Sequence, residues 1–212
     1  MSGAEIATAR MTRPRTALWL AIAFFAALGL AAAVLAHFGH GGNGFHLALL
    51  ATARLQFLLF WPAYAGAALA SLFGPAFLPL ARNAREWGLA FAAALTVHLG
   101  LVAWACTIGD VPPVETFIVF GFAAACAYTL ALFSIARLRQ ILGAPLWKLL
   151  RFVAMNYIAL AFADDFLGGL PGRGLRHAVL YWPFAALAIA GPALRFAAFA
   201  KAIRAKASRF AI

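Results

Sequence analysis

The chain has 212 residues, 66% of them hydrophobic and only 11% charged, with a mean hydropathy of +0.92. Soluble domains carry about 25% charged residues, which excludes a water-soluble globular protein and leaves one compact membrane bundle as the expected architecture. The formal net charge of +11 would suit a nucleic-acid binder, but its distribution follows the apolar segments and points to membrane lipid, not nucleic acid, as its partner.

Uncharged apolar runs of about 20 residues mark membrane helices. The first, residues 17–37, follows Arg10, Arg13 and Arg15, so that residues 1–16 form a basic tail. A basic segment before an apolar one resembles a secretion signal, but this run exceeds the usual ~7–15-residue signal core and is expected to stay as a helix. GHGGNG, residues 39–44, fits the dinucleotide pattern GxGxxG. That pattern needs a preceding strand inside a βαβ unit; between two membrane helices it is expected to be a turn. His37, His40 and His46 flank it, with no acid or cysteine beside them to complete a metal set. The second run, 47–73, carries Arg54, and the third, 86–107, carries His98. The fourth, fifth and sixth are 116–136, 148–166 and 177–198, and a basic tail, residues 201–212, is expected to form a short interfacial helix. Cys106 and Cys126 form no CxxC and fall in apolar runs, as buried free thiols do. No HExxH, GxSxG or Walker pattern occurs, and no segment can form a nucleotide domain for FAD or NAD.

The expected fold is therefore all-α: a six-transmembrane-helix bundle spanning residues 17–200. With the N-terminus on the cytoplasmic side, 14 of the 17 Lys and Arg residues fall in inner segments, only Arg173 and Arg176 in outer loops, and Arg54 within a span. That bias is the positive-inside pattern and makes both termini cytoplasmic. Trp19, Trp87 and Trp147 near inner helix ends and Trp104 near an outer one suit an aromatic belt. Gly29/Ala33 and Gly66/Ala70 have the small-residue spacing of close helix packing.

Charge within lipid is costly and marks a partner or a site. His98 lies 13 residues past Arg85, and Asp164 lies 13 residues past Arg151, each about 20 Å along its helix from the inner edge. Arg54 descends about 12 Å from the outer side. These depths bring Arg54, His98 and Asp164, with Asp165 beside it, to one level of the membrane. Arg151 and the two acids are equally readable as interfacial charges at the ends of one helix. Arg54 requires an anion, and Asp164 and Asp165 are candidates.

NAREWGLAFAAALTVHL, residues 83–99, resembles the RR-x-LGL-x-AF-x-x-x-x-LHL segment of ferric-reductase-like transmembrane domains. Within that family it is nearest to the haem-binding membrane subunit of the bacterial methionine-sulfoxide reductase system. FIVFG (117–121) and LALFS (130–134) resemble that subunit's YITVG and LALTS, and PLWKLLRF (145–152) resembles its W-K-x-LHRL. The resemblance covers about residues 45–200, in matching order. It implies b-type haem held by histidines of the third and fifth helices. The third-helix ligand falls on His98, ten residues after Gly88. The fifth-helix histidines are missing: their positions hold Arg151 and Asp164, with Asp165 rather than Asp164 on the face of Arg151 in a straight helix. Arginine does not ligate iron and aspartate is an unusual haem ligand.

The resemblance implies an inner-membrane, multi-pass, b-type-cytochrome-like subunit that passes electrons from quinol or a flavoprotein to an outer acceptor. The residues for it are His98 as axial ligand and Arg54 as propionate or carboxylate partner. Any enzymatic activity would be as a component of an oxidoreductase. The alternative is a haem-free structural subunit of a larger membrane complex, with other membrane subunits as partners. Proton or ion transport through the charged residues is a third reading.

Overall fold

The structure, a computed structural model, describes the backbone of residues 3–135, 138–168 and 174–210 and the side chains of residues 15–135, 138, 140–168 and 179–208. Among the described residues all regular structure is helical. Helix α1 is Gly3–Phe38 and α2 is Gly42–Phe73; a 3₁₀ turn, Pro75–Phe77, leads into the short α3, Leu78–Arg82. Then come α4 (Ala84–Thr107), α5 (Val114–Ile135), α6 (Arg139–Gly168) and α7 (Gly174–Phe210). Six of these, all but α3, contain a stretch long and apolar enough to cross a membrane. The chain is thus the all-α, six-span membrane protein that its apolar runs predict.

The boundaries differ from expectation where turn chemistry decides them. The α1–α2 connection is tighter than the gap between the first two apolar runs, residues 38–46: Gly39 adopts φ 82° while its N–H still reaches Leu35 O at 2.9 Å, and α2 begins at Gly42. A Cβ on Gly44 would collide with the Gly39 carbonyl. The glycines of GHGGNG therefore close a helical hairpin, as expected. Helix α6 is kinked at Gly143 (φ 70°), just before Pro145, which separates a short lead from the apolar run. The basic segment after residue 200 is no separate interfacial helix: α7 runs unbroken through Phe210. Nothing in KAIRAKASRF stops a helix, for it holds neither Gly nor Pro.

Helix contacts divide the chain into two compact units. The first holds Met1–Phe60 and Arg85–Ile118. Its core is built at three- and four-residue intervals: Ala27, Ala31 and Leu35 of α1 meet Phe45 and Ala48 of α2 and Ala94, Val97, Leu101 and Ala105 of α4. Alanine at these positions brings backbones close, the device by which helices associate in lipid. The Trp19 and Trp87 rings meet edge-to-face with centroids 4.9 Å apart at one end, and Phe45 and Trp104 do so at 4.7 Å at the other. Gly29 and Ala33, expected at a packing interface, are exposed instead; the buried stripe of α1 is Ala23, Ala27 and Ala31.

The second unit holds Trp61–Ala84 and Val119–Ile212. Here Trp61 Nε1 donates to Leu187 O at 2.8 Å, tying α2 to α7, and Tyr157 OH donates to Val119 O at 3.2 Å, tying α6 to α5. Phe166, fully buried, packs on Phe184 with centroids 5.3 Å apart. Gly66 is a true contact residue, its Cβ direction filled by Leu80 of α3. Large apolar side chains such as Phe25, Ile118, Leu160 and Phe196 point outward in both units. In water such surface would drive association; against lipid tails it is the natural exterior. Cys106 and Cys126 are half-buried free thiols rather than fully buried ones.

Candidate functional site

The polar groups of the spans fall into one set in each unit. In the first unit, α2 carries Thr52 and Gln56 one turn apart on its buried face, 0% and 3% exposed. Opposite them α4 presents His98, whose Nδ1 lies 2.8 Å from Thr52 Oγ1. The threonine hydroxyl is also 2.9 Å from the Ala48 carbonyl of its own helix. With the hydroxyl proton on that carbonyl, His98 Nδ1–H donates to Thr52, and the lone pair sits on Nε2. Among the described residues no hydrogen bond engages His98 Nε2. Gln56 Nε2 is a buried amide nitrogen without a hydrogen-bond acceptor among the described residues.

Arg54 lies two residues beyond Thr52 and so points about 200° around α2 from the His98 partner. It is half-buried, with Nε shielded from solvent. Arg151, Asp164 and Asp165 belong to the second unit. Arg151 and Asp164 are exposed and Asp165 is half-buried, so Asp165 is the acid turned toward protein.

A haem iron needs an imidazole nitrogen with a free lone pair, and ligating imidazoles hold their other nitrogen in a hydrogen bond. His98 has the second feature, its Nδ1 lying within hydrogen-bond reach of Thr52 Oγ1. The α6 positions that the sequence resemblance marks, Arg151 and Asp164, supply no imidazole. The side chain of His177, the other outer histidine near a helix start, lies outside the described residues. Among the described residues no three His, Cys, Asp or Glu side chains gather as a metal site; His37 lies against Phe38, and His40 is 6.2 Å from Trp104. A groove of about 560 Å³ runs between α1 and α4, lined by Leu28, Ala32, Gly100 and their neighbours, and His98 does not line it.

The second unit holds a polar set with members that the sequence reading passed over. Tyr64 OH donates to Asn156 Oδ1 at 2.8 Å, joining α2 to α6. The Arg195 guanidinium of α7 lies over the Tyr64 ring, 4.4 Å from its centroid, and its Nη1 reaches Tyr64 O at 3.3 Å. Gly191, one turn before Arg195, makes room for this: a Cβ there would sit 3.1 Å from Tyr64 Cε1. Lys201 Nζ donates to Ser71 O at 2.6 Å near the end of α2, where a cation opposes the negative end of the helix dipole. A Tyr and an Asn in separate apolar runs, each with a polar group able to bond across helices, are the signal that could have found this set.

No protein-family model, no curated protein and no solved structure matches the chain.

Proposed function

We propose that the chain is an electron-transfer subunit of the inner membrane, holding haem b through His98 Nε2. The observation that carries this reading is the 2.8 Å approach of Thr52 Oγ1 to His98 Nδ1. It orients the ring, and among the described residues no hydrogen bond engages Nε2. Haem supplies a reversible one-electron iron couple, and the protein supplies axial ligation, orientation and electrostatic tuning. Both termini are cytoplasmic in this reading, electrons enter from quinol or a flavoprotein, and the acceptor lies on the outer side.

The exposed positions of Arg151 and Asp164 favour a second reading, a haem-free accessory subunit in which Thr52–His98 is an interhelical clamp. An absorption spectrum of the protein purified from haem-replete cells and chemically reduced separates the two. A Soret band lost in His98→Ala supports the electron carrier. A colourless preparation leaves the accessory subunit.

A further inference from the structure

Gln56 carries a primary amide into the interior of the first unit, where the neighbouring helices give it nothing to bond. The residue is 3% exposed, and its Nε2 is shielded from solvent without an acceptor. Among the described residues no hydrogen bond engages either end of the amide. A glutamine amide offers two donors and an oxygen with two lone pairs. Buried groups of this kind are, in the large majority, bonded to protein or to ordered water, and the hydrocarbon around a membrane bundle supplies neither donor nor acceptor.

The register of the helices explains why no side chain answers the amide. Phe45 meets Trp104, Thr52 meets His98 and Phe60 meets Phe91, so α2 and α4 run antiparallel. Gln56, one turn beyond Thr52, is therefore level with Ala94, one turn before His98. Helix α1 runs alongside α4: Trp19 meets Trp87, and Ala27 lies eight residues past Trp19 as Leu95 lies past Trp87. Ala27 and Ala94 belong to one buried cluster, and both are 0% exposed. Their side chains are methyl groups, which present no hydrogen-bonding atom and leave the room that a longer side chain would take. The backbone N–H groups at this level are held in helices, and although each helical carbonyl keeps a second lone pair, Nε2 reaches none of them. A water molecule spans such a gap: it accepts from Nε2 and donates to carbonyls that the amide cannot reach. Internal waters typically make about three hydrogen bonds of this kind. A larger ligand would need an opening, and Ala27 and Ala94 are closed off.

We propose that Gln56 holds an internal water in the core of the first unit, among α1, α2 and α4, one turn from the Thr52–His98 pair. Thr52, Gln56 and the water then form a continuous polar strip along the buried face of α2. This inference stands independently of haem.

The test uses the full chain in deuterated detergent micelles, with glutamine nitrogen labelled for NMR. The chain has two glutamines, Gln56 and the exposed Gln140, so two side-chain amides appear, and Gln56→Met removes one and assigns it. The Gln56 amide protons should show a nuclear Overhauser cross-peak at the water frequency, with the sign of a long-lived water, and should exchange more slowly than those of Gln140. Thr52→Val should keep that cross-peak. Ala94→Val, which fills the space opposite the amide, should erase it while the helical circular-dichroism signal persists. Cross-peaks from the wild-type Gln56 amide to aliphatic protons alone overturn the site. So does loss of the water signal in Thr52→Val, which would trace it to the threonine hydroxyl proton. Exchange as fast as at Gln140 would mean a side chain open to solvent and overturns an internal water. A cross-peak that persists in folded Ala94→Val overturns the placement between α2 and α4.

Discussion

His98 Nδ1 and Thr52 Oγ1, 46 residues apart in sequence, meet at 2.8 Å and join α4 to α2 inside the first unit. Interhelical hydrogen bonds in membranes average about 0.6 kcal/mol and reach about 1.7. Thr52→Val keeps the shape and removes the hydroxyl, so it should cost about 1–2 kcal/mol in a detergent unfolding titration. Thr52→Ser should recover most of that. A cycle combining Thr52→Val with His98→Ala should show coupling of about 0.6–1.7 kcal/mol; additive losses would mean that the pair contributes nothing as a pair.

The same hydroxyl distinguishes a ligand from a clamp. Removing the group that orients a ligating imidazole typically weakens metal affinity by about 10–100-fold. Haem content per protein, read from the reduced spectrum of Thr52→Val, should fall accordingly while the helical circular-dichroism signal persists. Unchanged haem content in this variant would place the iron ligand elsewhere.

Ala27 and Gly29 make a matched contrast on α1. Ala27 is 0% exposed, while Gly29 has no heavy atom within 4 Å of its Cβ direction. Ala27→Leu must force three closely packed helices apart, a change that typically costs about 1–3 kcal/mol. Gly29→Leu only adds lipid-facing surface and should be neutral or mildly stabilising, because it removes a helical glycine. Thermal unfolding of the two variants, side by side, tests which face of α1 is buried.

Gly191 seats the Tyr64 ring, and its Cβ direction also comes 3.4 Å from Trp61 Nε1. Gly191→Leu should displace both aromatic rings, lengthen the Trp61–Leu187 hydrogen bond and cost about 1–3 kcal/mol. A shifted Trp emission maximum, together with a lowered unfolding temperature, is the expected signature. Unaltered emission and stability would contradict the packing of α7 on α2.

The orientation of the chain is open to labelling. With Cys106 and Cys126 replaced by Ala, a membrane-impermeant maleimide should label Gly42→Cys from the outer face of intact cells and leave Ala205→Cys untouched until permeabilisation. Both positions are exposed. The reverse pattern would invert the topology inferred from the basic residues.

The legibility of the sites was uneven. His98 was readable as a polar group at membrane depth, and the closure of GHGGNG was readable from its glycines. The role of Thr52 was not, because a threonine in an apolar run looks the same whether it bonds its own helix, a neighbour or both. Arg195 read as an inner-edge topology marker, and nothing in α7 alone indicates that Tyr64, 131 residues earlier, lies under its guanidinium. Arg54 and Asp164 matched in depth along their helices, but depth is one coordinate of three. The rotation of α2 turns Arg54 away from the face on which Thr52 meets His98, and Asp164 is exposed.

By itself the sequence determined the number of spans and the material around them, because the length of an apolar run is set against bilayer thickness and needs no knowledge of neighbours. Only the tertiary structure decided which face of each helix is buried. In water a helix announces its inner face by an apolar stripe against a polar one. In lipid both surroundings are apolar, so that contrast vanishes: Ala27 and Phe25 are equally acceptable to hydrocarbon, and backbone approach selects the smaller one for the interior. The polar pairs follow from that choice. Thr52 finds His98, and Tyr64 finds Asn156 and Arg195, because alanine and glycine elsewhere on the same faces let the helices come within hydrogen-bonding reach.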